Sequence, residues 1–211
     1  MTLRETLVAM LERPTEMLDV AFEHSVLLIG KLPPRKDGFF ARAYLHVVHP
    51  GLNDAEIDRL EGLIGKSLPP SLRDFYSEMN GCSLFHGSLS VAGLRQSFDR
   101  SLVQRLPTSL EYGNTIDVPH DHPRPAVAPE DEVRFGFYSN GDGREVVCDQ
   151  RSGAICLVPR YSRGPEQARW TDVATFLRTE VKRMNQLLFG QGLPCDPQHA
   201  LPPPDITNSF N

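Results

Sequence analysis

Two stretches of the chain carry the clearest periodicity, and they differ in kind. In Asn53–Gly81 the apolar residues fall at helical intervals, Ile57, Leu60 and Ile64 and then Leu72, Phe75, Tyr76 and Met79. Asn53 with Glu56 three residues on is an Asn variant of the capping box, so a first helix starts there and ends near Gly65. Leu68-Pro69-Pro70 restarts the chain, since proline is tolerated in a first helical turn, and Asn80-Gly81 supplies a left-handed stop. In Phe135–Asp149 the period shortens to two, and the Asn-Gly and Asp-Gly dipeptides of Ser139–Gly143 suit a tight turn, predicting a β-hairpin. Alternation puts Phe135 and Phe137 on one face, and Val146 and Cys148 on one face of the next strand. Ala154–Val158 then adds a third antiparallel strand.

The remaining segments are read around this frame. Leu3, Leu7, Met10 and Leu11 predict a short helix that Pro14 stops. Glu16–Ile29 fits either a second helix or a helix followed by a strand, and Phe39–Val48 fits either a helix or a strand, because short apolar runs do not reveal their period. Ser83–Leu94 reads as extended chain with Leu84, Leu89 and Val91 in the core. Pro107–Pro129 is a long irregular loop. Thr171 is positioned to cap a last helix with an apolar stripe of Val173, Phe176, Leu177, Val181, Met184 and Leu188 ahead of Gly190, and Trp170 packs against that helix. The expected organisation is an N-terminal helical extension over 1–50, an α+β domain over 51–190 and a Pro-rich tail over 191–211. In that domain an antiparallel β-meander carries helices on one face.

Composition narrows the function classes. With 211 residues, 40% of them hydrophobic and 23% charged, the chain can bury a core. A formal charge of −5 with scattered Lys and Arg lacks the footprint of a nucleic-acid binder. The most apolar stretch, Val20–Leu32, is interrupted by Glu23, His24 and Lys31, so no membrane span is expected. The N-terminus lacks the pattern of a secretory signal, and a cytoplasmic location is the expectation. Cys82, Cys148, Cys156 and Cys195 contain no C-x-x-C pair, and Cys148 and Cys156 read as buried free thiols.

The ordered set of helix, L-P, helix, N-G, strand, long loop, F-G-x-Y, G-D, strand, G-x-I and a Trp-led helix resembles the SUKH superfamily, which includes the Smi/Knr cell-wall regulators. The residues that carry it are Ile57, Leu60, Gly65, Leu68, Pro69, Leu72, Phe75, Asn80, Gly81, Phe135, Gly136, Gly141, Asp142, Gly153, Ile155, Trp170, Phe176 and Leu177. The resemblance spans about Asn53–Leu188 and implies an α+β domain used for protein binding, without general catalytic residues. Bacterial members are mostly immunity proteins that sit on polymorphic toxins, and fungal members are regulatory adaptors. This chain departs in its fifty preceding residues, in its long loop and at Cys82, where a second glycine is frequent.

Enzymatic readings find little support. There is no G-x-S-x-G elbow, P-loop or G-x-G-x-x-G fingerprint. His120-Asp121-His122 offers two imidazoles for a zinc-dependent hydrolase, although a solvated polar loop explains the same letters. Asn140, Asp142 and Asp149 lack the closing glutamate of a calcium loop and fit a plain turn. The expected binding edge is acidic, formed by Glu130, Asp131 and Glu132 with Asp142 and Glu145, because carboxylates there would steer a basic protein partner. The reading is a non-enzymatic protein-binding domain that needs no cofactor and no metal. Its expected partner is a cognate toxin domain; the alternatives are a regulatory adaptor and the His120/His122 hydrolase.

Overall fold

Among its described residues a computed structural model of the chain has four helices and nine strands. It describes residues 1–11, 17–19, 26–30, 43–85, 87–96, 107–111, 114, 128–139, 144–159 and 166–189. Helix α1 (Leu3–Leu11) opens with a capping box in which the Glu5 N–H donates to Thr2 Oγ1 at 3.1 Å and the Thr2 N–H donates to the Glu5 carboxylate at 2.8 Å. Helix α2 (Asp54–Ile64) has the expected Asn53/Glu56 box and ends at Gly65, whose φ of 66° is the left-handed conformation that glycine adopts without strain. Helix α3 (Pro70–Glu78) begins on the proline pair. It stops at Met79 in extended conformation, so Gly81 is not its cap. Gly81 has φ 81° and passes the backbone at Val91 so closely that a Cβ would lie 2.5 Å from the Val91 carbonyl oxygen.

Strands β1 (Met17–Asp19), β2 (Val26–Gly30), β3 (Ala43–Val48), β4 (Cys82–Leu84), β5 (Leu89–Val91), β6 (Glu132–Tyr138), β7 (Arg144–Asp149), β8 (Ile155–Pro159) and β9 (Ala168–Trp170) form one sheet in sequential order. Every neighbouring pair is antiparallel. The α+β class and the meander are as expected, with Leu84, Leu89 and Val91 all buried. The alternation in β6 is not. The β6–β7 register shifts between Arg134 and Gly136, making Phe135 an extra residue in a bulge. Phe135 is buried with its ring edge-on to Phe176, and Tyr138 is buried as well, whereas Phe137 stays half-buried and outside the core. One inserted residue reverses every later position of a period-two pattern. Val146 and Cys148 precede no such shift in their own strand, and both enter the core.

The core lies between the sheet and the four helices on one of its faces. Helix α4 (Val173–Phe189) supplies Val173, Phe176, Leu177, Val181 and Met184, and Trp170 meets Phe176 edge-on with 5.0 Å between ring centroids. Its N-cap is Asp172 and not Thr171: the Thr175 N–H donates to Asp172 Oδ1 at 2.7 Å, and the Thr171 hydroxyl donates to the same carboxylate at 2.9 Å. Burial opposes ionisation of Asp172, but these hydrogen bonds prevail and hold its pKa below the usual value. Asp172→Ala is expected to lower stability by about 1 kcal/mol in a urea melt, while Thr171→Ala costs only a fraction of that.

Residues 1–50 differ most from expectation. Among their described residues Leu3–Leu11 is helical; the three strands that follow extend the sheet, and β3 pairs directly with β4 through Val47–Ser83 and Val48–Cys82. Leu7, Leu11 and Val48 are fully buried in the common core. Helix α1 is tied down at both ends, the Leu3 N–H donating to the Glu78 carboxylate and Asn185 Nδ2 donating to the Met10 carbonyl at 3.0 Å. At the β4–β5 turn Phe85 adopts φ 51°, rare for a bulky residue. Its N–H donates to Nδ1 of buried His46 at 3.2 Å, and the two rings meet edge-on.

A candidate partner-binding edge at the foot of the sheet

At one end of the sheet three connections converge: the α2–α3 linker, the turn before β6 and the β7–β8 turn. The chain approaches β6 through Ala128-Pro129-Glu130-Asp131, a turn closed by the Glu132 N–H donating to the Pro129 carbonyl at 3.1 Å. Lys66 follows the Gly65 cap and points its ammonium into this turn. Nζ donates to the carbonyl oxygens of Ala128 at 3.1 Å, Pro129 at 2.6 Å and Glu132 at 2.8 Å, which uses all three of its protons. The β7–β8 turn locks on from the other side: the Gln150 N–H donates to the Asp131 carbonyl at 2.9 Å, and Gln150 Nε2 donates to the Ser67 carbonyl at 2.7 Å.

The result is an acidic turn with a fixed backbone. Glu130 and Asp131 are exposed and Glu132 is half-buried. Burial lowers the Lys66 pKa most, then the Arg134 guanidinium; Glu132, Asp131 and Glu130 act in the opposite direction. Glu132 stands opposite Asp149 in the β6–β7 ladder, which brings a fourth carboxylate to the same end. Asp149 accepts from the Arg151 N–H at 2.9 Å and the Ser152 N–H at 2.8 Å, and its pKa is held below the usual carboxylate value, with the Ser152 backbone hydrogen bond the largest cause. Cross-strand carboxylates repel, and the two backbone donors on Asp149 offset that repulsion on its side of the ladder.

Of the five carboxylates expected at a binding edge, Glu130, Asp131 and Glu132 sit together here. Glu145 does not join them. It lies further along β7 opposite Phe137, with Arg134 Nε 3.2 Å from its Oε2 and the two side chains only 15% and 8% exposed. Asp142 lies outside the described residues, as do Asn140, His120, Asp121, His122 and Cys195. Among the described residues no group of three or more His, Cys, Asp or Glu could hold a metal ion.

Sequence reasoning missed Lys66 and Asp149 at this edge. Lys66 reads as an ordinary cation after a helix, and its acceptors are 62 to 66 residues away. Asp149 was within reach: counting back from the hairpin turn, with one residue added for the bulge, pairs it with Glu132. Lys66→Met is expected to lower stability by about 1–2 kcal/mol. The same substitution should speed hydrogen exchange at the amides of Glu132 and Gln150 while leaving α4 unchanged, and unaltered exchange at those two amides would refute the clamp.

Among the described residues the three cysteines and the Tyr138–Glu180 pair are enclosed. Burial pushes the thiols of Cys82, Cys148 and Cys156 up to about 12, so they stay protonated and act as small hydrophobes. The Tyr138 hydroxyl donates to Glu180 at 2.5 Å, and Arg183 Nη2 donates to the same carboxylate at 2.8 Å. Burial first, and Glu180 second, raise the Tyr138 pKa well above its usual value. Tyr138 and Glu180 are wholly enclosed, so this cluster fastens α4 to β6 and presents neither group at the surface.

A sequentially wound antiparallel sheet with helices on one face, a capped helix pair linked through Leu68-Pro69-Pro70 and a Trp-led last helix define an α+β domain of the SUKH type. The family model of the SMI1 / KNR4 family (SUKH-1) matches residues 51–179, more than half of the chain, and the protein belongs to that family. No curated protein matches the chain. Among the described residues no helix is long and apolar enough to cross a membrane.

Proposed function

We propose that this SUKH-1 protein is a non-catalytic, cytoplasmic immunity protein that binds a cognate bacterial toxin domain and occludes its active site or substrate channel. Membership of the family supports a role in protein–protein interaction. The observation that carries the reading to a surface is the turn Glu130–Glu132, whose backbone Lys66 holds while the Glu130 and Asp131 carboxylates face outward. A toxin that handles nucleic acid is basic where it meets its substrate. Carboxylates on a preorganised turn steer such a partner and lose little entropy on binding.

The test is capture with the tagged full chain from host lysate, in wild-type form and as the E130Q/D131N/E132Q variant, followed by a toxicity assay of the captured protein with and without this chain. Stoichiometric capture of one basic protein that is toxic alone, is silenced by this chain and is lost with the variant supports the proposal. Capture of several non-toxic regulators, unchanged by the variant, would overturn it in favour of a regulatory adaptor.

A further inference from the structure

We draw no further inference here: the strongest candidate, the side-chain cluster in which Lys66 clamps the turn below Glu130–Glu132 at the foot of β6, belongs to the site already described, and an acidic turn by itself does not show what binds it.

Discussion

A chain cut back to residues 51–190, the family-matched region with the rest of α4, is expected to lose cooperative unfolding. Leu7, Leu11 and Val48 are each fully buried, and together they account for about 5–9 kcal/mol of hydrophobic stabilisation at about 1.5–3 kcal/mol per side chain. That is comparable with the whole net stability of a domain, roughly 5–15 kcal/mol. The truncation also uncovers the β4 backbone that β3 pairs with and removes His46, the acceptor for the strained Phe85 N–H. Thermal melts followed by near-ultraviolet circular dichroism would show this as a broad transition with no fixed aromatic signal. Leu7→Ala in the full chain provides a graded version, with an expected loss of about 2–4 kcal/mol. A truncated protein that melts as sharply as the full chain would show that residues 1–50 are a dispensable arm.

The second large effect is a fall in stability between pH 6.5 and pH 4. His49 joins β3 to α2 and is 4% exposed, and desolvation lowers its pKa from 6.5 to about 4. Above pH 6.5 the imidazole is neutral in both the folded and the unfolded chain, so its contribution is constant and fully present. As the pH falls below 6.5 the unfolded chain takes up a proton that the folded chain refuses, and stability declines until the folded pKa is reached. At about 1.4 kcal/mol per pH unit the loss over this window is about 3 kcal/mol. Asp149 and Asp172 also lose stabilising ionisation in acid, but both are held below the ordinary carboxylate value of 3.8, beneath this window. Guanidinium melts at pH 7 and pH 4.5 measure the difference. His49→Gln is expected to flatten the profile whatever its own stability at pH 7, and a slope equal to that of the wild type would assign the titration to another group.

The two effects bear on the proposed function in different ways. The N-terminal segment adds stability and closes one side of the family domain far along the sheet order from β6. The acidic turn depends on Lys66 and Gln150, which reach it from the α2–α3 linker and the β7–β8 turn. Substitutions at Glu130 and Asp131 should therefore change partner association with little effect on the melt, because exposed carboxylates contribute little to folding. Substitutions at Lys66 should change the turn's rigidity first.

What the chain discloses by itself is whatever rests on near neighbours. The Asn53/Glu56 box, the Gly65 cap, the proline start of α3 and the existence of two strands flanking Ser139–Gly143 involve residues within a few positions of each other. Their chemistry is complete in the local sequence, and all of them appear in the structure. The ordered spacing of those elements also suffices to indicate the family. The cap of the last helix is local too, since the Thr175 N–H donates to Asp172 Oδ1 three residues back, and a reading that places it at Thr171 is one residue early. Other features needed the assembled sheet. The bulge at Phe135 follows from pairing with Val146 and Val147 on the next strand, so strict alternation misplaces Phe137. The strands of residues 17–48 carry apolar runs too short to reveal a period, and partner strands settle them as sheet. The acidic edge shows the same division most sharply. Glu130–Glu132 is visible as three adjacent letters. That Lys66 clamps it depends on carbonyls 62 to 66 residues away, and that Asp149 joins it while Glu145 is held away by Arg134 depends on the register of β6 against β7, which the bulge at Phe135 sets.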